Sequence, residues 1–117
     1  MQDADENILD ILTLALQSDG FEVFPYMNCD EGLLNLINQV RPHVVVLDYK
    51  LDGNLSIKMC MEIKKKHPQL PVIALSCNNN IEELYKKYGF ADYIKKPFDL
   101  DVLYEVLKKH TPTLLVQ

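Results

Sequence analysis

Apolar positions along the chain follow two rhythms, one repeating every three to four residues and one made of short unbroken runs. The first helical stretch sets Ile8, Ile11, Leu12 and Ala15 on one side, has acidic Asp5 and Glu6 in its first turn and stops at Gly20, which suits a left-handed cap. Phe21 to Pro25 reads as a short strand. A second helix opens at Asp30, turns Leu33, Leu36, Ile37 and Val40 inward and ends before Pro42. The run His43 to Leu47, closed by Asp48, reads as a central strand covered on both faces, because such strands are continuously apolar rather than alternating. Ser56 is a candidate cap for a third helix with Ile57, Cys60 and Ile63 inward and Lys64, Lys65, Lys66 and His67 at its negative end. Pro71 to Leu75 is the next buried strand. Asn80 starts a short helix stopped by Gly89, Ala91 to Ile94 makes another strand, and Asp99 opens a last helix with Leu103, Val106 and Leu107 inward.

Helix and strand in regular alternation, joined by short connections, imply an α/β fold: a doubly wound parallel sheet with helices on both faces. With 117 residues the pattern fits one domain, residues 1–117, and no second one. The 48% hydrophobic and 25% charged composition is that of a chain able to bury a core. No apolar run exceeds four residues, far short of the roughly 20 needed to cross a bilayer, and no signal peptide is visible. A net charge of −5 argues against direct nucleic-acid binding and against an anionic membrane surface. Cys29, Cys60 and Cys77 form no CxxC pair, which points to reduced, packed thiols and a cytoplasmic setting.

In parallel sheets the chemistry lies beyond the carboxyl ends of the strands. The residues there are Asp3 and Asp5 near the start, Asp48, Ser76 and, beside Pro97, Lys96. Clustered carboxylates can hold a hard cation such as Mg²⁺, while a lysine and a hydroxyl add charge and a donor for phosphoryl oxygens. Asp48, at the end of a rigid strand, is the candidate nucleophile of a phosphoryl transfer. Taken singly, each residue also has a plainer reading. Asp3 and Asp5 serve as helix caps, Asp48 as a turn residue and Tyr93 as packing, and His43, His67 and His110 lack ligand spacing.

Together, Val44-Val45-Val46-Leu47-Asp48, Pro71-Val72-Ile73-Ala74-Leu75-Ser76 and Tyr93-Ile94-Lys95-Lys96-Pro97-Phe98 resemble, in that order and spacing, the receiver domains of two-component response regulators, the CheY-like family. The resemblance implies a flavodoxin-like (βα)5 fold of strand order 2-1-3-4-5. It implies that Asp48 accepts a phosphoryl group, with Mg²⁺, from a sensor histidine kinase, a phosphotransfer protein or a small phosphodonor. Ser76 and Lys96 would bind the phosphoryl oxygens. The Lys50 main-chain carbonyl would join Asp48 and Asp3 or Asp5 around Mg²⁺. Tyr93 would be the aromatic switch that alters binding of a downstream effector protein or domain, with a second copy of the chain as a further candidate partner.

Three departures from the family pattern stand out. The usual acidic pair falls on Asp3 and Ala4, Cys77 replaces a smaller residue, and Lys50 and Asn78 occupy positions that tune dephosphorylation. In addition, only Met1 and Gln2 precede the acidic loop, so the first strand, an interior one, is missing or nearly missing from this chain. The expectation is that apolar residues ahead of Met1, or a second molecule, supply it. Two rivals remain. A pseudo-receiver would keep the fold but, lacking a carboxylate at Ala4, would escape phosphorylation. An aspartyl phosphatase would need a general acid two residues after the nucleophile, where Lys50 stands. The receiver reading makes the chain a switch rather than an enzyme, its chemistry confined to its own phosphorylation and dephosphorylation.

Overall fold

A computed structural model describes residues 1, 6–18, 20, 22–26, 30–49, 54–77 and 80–111, apart from the side chains of 6–10 and 54. Helices α1 (Glu6–Ser18), α2 (Glu31–Val40), α3 (Asn54–Lys66), α4 (Ile81–Leu84) and α5 (Leu100–His110) alternate with strands β1 (Val45–Tyr49), β2 (Val72–Ser76) and β3 (Asp92–Lys95). The strands form a parallel sheet of order β1-β2-β3, in which Asp48 lies opposite Leu75, Tyr49 opposite Ser76, and Ser76 opposite Lys95.

The unbroken apolar runs are explained by helices on both faces. Side chains alternate across a strand, so Val45, Leu47 and Tyr49 join Val72 and Ala74 against Leu33 and Ile37 of α2, Cys60 and Ile63 of α3, and Ile81 of α4. Val46, Ile73, Leu75 and Ile94 point the other way, onto Leu12 and Leu16 of α1 and Leu103 and Leu107 of α5. All ten residues of β1 and β2 are buried. Helix ends follow the local chemistry. The Asp30 carboxylate accepts from the Leu33 N–H at 3.4 Å, Arg41 closes α2 in the left-handed region at φ 53°, and Gly20 and Gly89 take φ 91° after α1 and α4.

Several expected boundaries shift. Ile11 is 64% exposed; the buried face of α1 is Leu12 and Leu16, one turn apart, and Ile11 lies a helical step off it. Ile8 falls outside the described side chains. α3 begins at Asn54 rather than at a Ser56 cap. Of the strand expected over Phe21 to Pro25, Phe21 lies outside the described residues and residues 22–25 are irregular, with a bridge at Tyr26. Among the described residues this segment meets Met1, whose carbonyl accepts from the Tyr26 N–H at 3.0 Å and whose amino group donates to the Phe24 carbonyl at 3.2 Å. β1, expected at the centre, lies at the edge of the described sheet and β2 in the middle.

Between the Val23–Phe24 segment and β1, where the family order places the first strand, there is an apolar pocket lined by Met1, Leu16, Val23, Phe24, Val44 and Val46 among others. The Met1 ammonium is set in these apolar surroundings, and desolvation lowers its pKa from 8.0 to about 6.

Two outcomes follow from this packing. Ile63, fully buried beneath β1 and β2, should cost about 2–5 kcal/mol when changed to Ala, read as a lower urea midpoint at unchanged slope. Because folding disfavours the charged form of the Met1 amine, the penalty is full below about pH 6 and gone above about pH 8, so stability from this group rises across that window. Urea unfolding at a series of pH values should show that rise for the free amine and lose it on N-terminal acetylation. Equal slopes for the two forms would contradict the assignment.

Candidate functional site

The carboxyl edge of the sheet gathers residues that are far apart in sequence. Asp48 occupies the penultimate position of β1 and is 4% exposed; Ser76 ends β2 and is fully buried. Lys96 directly follows β3, and its N–H donates to the Ser76 carbonyl at 2.7 Å, tying the chain to the end of the middle strand. From there its ammonium donates to Asp48 Oδ1 at 2.9 Å. β3 is two strands away from β1 and adjacent strands lie about 4.7–4.9 Å apart, so the side chain has to reach across the end of β2. A long cationic residue is needed for that span. The Lys96–Pro97 peptide bond is cis.

The pair is largely withdrawn from water, the Lys96 side chain being 18% exposed and that of Asp48 2%. Desolvating two charges is costly, and close contact together with further hydrogen bonds compensates for it. One such bond comes from α3: the Ser56 hydroxyl, itself buried, donates to the Asp48 main-chain carbonyl at 2.6 Å. No local sequence signal announces this contact, since a serine at the start of a helical pattern reads as a cap. Tyr49, next to Asp48, packs edge-on against Phe90 with ring centroids 6.1 Å apart.

Tyr93 lies two strands over from Asp48, in β3, half-buried, with its ring 4.9 Å from that of Tyr85. The stack joins the segment after α4 to β3, on the side of the molecule that the sequence assigned to switching. At the other end of β3, Asp92 meets His110 at 3.0 Å and Lys109 at 3.4 Å. Burial alone would raise the Asp92 pKa, but bonds from His110, the Tyr93 N–H and Lys109 outweigh it and hold the carboxyl below its ordinary value. The Cys60 thiol is pushed up to about 11 by burial, which suits an inert core residue, whereas Cys77, just past Ser76, is exposed.

Of the residues assigned to Mg²⁺, Asp48 is described; Asp3, Asp5 and the Lys50 carbonyl lie outside the described residues, as do Ala4, Cys29 and Asn78. A buried carboxylate at a strand end is a hard oxygen donor of the kind Mg²⁺ takes, so the donor chemistry at Asp48 fits the ion. Among the described residues no group of three or more His, Cys, Asp or Glu could hold a metal.

Comparison with known proteins points the same way as this edge. Residues 2–108 match the family model of the response regulator receiver domain. The chain is 32% identical over 101 residues to the DNA-binding transcriptional regulator NtrC of Salmonella typhimurium, covering 85% of this chain and 21% of that protein. It is 30% identical over 107 residues to the transcriptional regulatory protein GlrR of Escherichia coli, covering 90% of this chain and 24% of that one. The chain thus spans about a fifth to a quarter of these relatives. Among solved structures it resembles the receiver domain of NtrX from Brucella abortus, at TM-score 0.79 and 33% identity with 93% of each chain covered. It also resembles the response regulator TrrA of Thermotoga maritima in complex with Mg²⁺ and BeF, at TM-score 0.80 and 27% identity over 92% of this chain and 93% of that one. A buried Asp–Lys pair at the carboxyl edge of a doubly wound parallel sheet, next to a serine on the middle strand, is found here in a chain that belongs to the response regulator receiver domain family.

Proposed function

We propose that residues 1–117 form one receiver domain and act as a phosphorylation-dependent signalling switch, with Asp48 as phosphoryl acceptor. The observation that carries this reading is the 2.9 Å contact between Lys96 and the buried Asp48 carboxylate at the open end of the sheet. In the step itself, an Asp48 carboxylate oxygen attacks phosphorus. The bond from phosphorus to the imidazole nitrogen of a phosphohistidine, or to the leaving group of a small phosphodonor, breaks, and the leaving group takes up a proton. The product is an acyl phosphate. Lys96 exchanges its carboxylate contact for a phosphoryl oxygen, and the Ser76 hydroxyl donates to another. Phosphoryl transfer has little covalent chemistry for the protein to perform, so positioning and charge carry the rate. Asp48, with the Lys50 carbonyl and Asp3 or Asp5, would hold Mg²⁺, which would supply neutralisation of the developing phosphoryl charge.

The added charge favours a second conformation in which Ser76 and Tyr93 move together and the face around Tyr85, Tyr93 and α5 changes its affinity for an effector protein or domain. The phosphodonor is a sensor histidine kinase or a phosphotransfer protein. No separate substrate is turned over, so the chain is a switch rather than an enzyme. Thiols without paired spacing suit the cytoplasm, and among the described residues no helix is long and apolar enough to cross a membrane. Ala4, at a position where the family carries an acid, favours a second reading, a pseudo-receiver that binds partners without being phosphorylated.

Incubation with Mg²⁺ and phosphoramidate should add the mass of one phosphoryl group to the intact chain, and Asp48→Ala should abolish the gain. Wild-type protein that gains nothing at saturating donor supports the pseudo-receiver instead. Lys96→Ala should slow the uptake by about 10²-fold, the usual loss when one charge-stabilising group is removed, measured as the initial rate of mass gain at saturating phosphoramidate.

A further inference from the structure

The Ser56 hydroxyl makes an unusual choice of partner. A serine in the first turn of a helix ordinarily serves its own helix, accepting from an amide at the start or donating to the carbonyl one turn back. Here the proton crosses to β1 and is donated to the Asp48 carbonyl at 2.6 Å, with both residues buried. That carbonyl belongs to the residue bearing the acceptor carboxylate. Fixing it sets the Asp48–Tyr49 peptide plane and, through the Asp48 backbone, the direction of its Cα–Cβ bond. The far end of the same side chain meets Lys96. Asp48 is thereby held at two points, its main chain from α3 and its carboxylate from the segment after β3.

We propose that Ser56 is a positioning residue of the phosphoryl-acceptor site: its hydroxyl pins the Asp48 main chain so that the carboxylate keeps one heading toward the incoming phosphorus and Lys96. The role rests on the receiver reading above. It acts on the transfer step rather than on donor binding, because among the described residues the Ser56 hydroxyl meets the acceptor residue. Small misplacements of a reacting group cost large factors in rate, so loss of the hydroxyl shows in the limiting rate of phosphorylation. If the hydroxyl did no more than satisfy a buried carbonyl, its removal would lower stability while every folded molecule reacted as before.

The two cases separate in a phosphoramidate series at saturating Mg²⁺, followed by intact mass and normalised to the folded fraction from thermal melts. Ser56→Ala and Ser56→Gly should each lower the limiting rate about tenfold at unchanged half-saturating phosphoramidate. Ser56→Thr, which keeps the hydroxyl, should stay within about threefold of wild type by the same reasoning. A limiting rate equal to wild type in folded Ala or Gly variants overturns the role, as does a Thr variant as slow as Ala. If neither Ala nor Gly folds, Ser56 is a structural residue and the proposal falls. Wild-type protein that gains no phosphoryl group overturns the receiver reading itself, and this role with it. That failure is told apart because it appears before any substitution is made.

Discussion

A carboxylate buried at the end of an apolar strand must be paired, because an isolated ion in such surroundings carries a penalty of several kcal/mol. Asp48 is in that position, 4% exposed behind three apolar residues of β1, and Lys96 supplies the charge that makes the arrangement tolerable. Much of the molecule serves this contact. β2 sits between the two residues as a spacer, the Ser76 carbonyl fixes the lysine main chain, and Ser56 fixes the aspartate main chain. A site held by three separate elements is stiff, yet it opens at a strand end where a phosphodonor can enter. Under the proposed function, the same cation that stabilises the resting carboxylate would receive phosphoryl oxygens.

The sheet that supports this edge is dry on both faces. Its central residues, Leu47, Val72, Ile73, Ala74 and Leu75, are completely buried between α2, α3 and α4 on one side and α1 and α5 on the other. Such a close-packed core is a stiff base for the carboxyl edge. The other flank is different. Past β1 the described residues offer the hydrogen bonds of Met1 with Phe24 and Tyr26, and an apolar pocket in which burial disfavours the Met1 ammonium. The pocket lies where the receiver order 2-1-3-4-5 puts its first strand.

Periodicity made most of the elements legible. Apolar runs ending at Asp48 and Ser76 read as buried parallel strands and are so, and Gly20 and Pro42 marked helix ends that hold in three dimensions, whereas α4 stops at Leu84, five residues short of Gly89. Asp48, Ser76 and Lys96 could be picked out because parallel topology brings successive strand ends to one edge. Other features depend on tertiary pairing and left no local trace. Phe21 to Pro25 has the composition of a strand, but a strand exists only with a partner along its length, and among the described residues the partner of this segment is Met1. Ile11 and Leu12 are equally apolar, and only the tilt of α1 on the sheet decides that Leu12 is inside. Ser56 carried a capping signal and spends its proton on the neighbouring strand instead.

Phosphate chemistry, the lysine bridge and the aromatic pair Tyr85–Tyr93 fit a single scheme in which charge added at Asp48 is read out two strands away. What that scheme requires above all is that the phosphoryl group be carried by this one carboxylate. Borohydride reduction of the phosphorylated chain converts an acyl phosphate on aspartate into homoserine, which peptide mass mapping then locates. The account predicts homoserine at position 48 and at no other aspartate; homoserine at a different position, or none in a chain that has taken up phosphate, would contradict it.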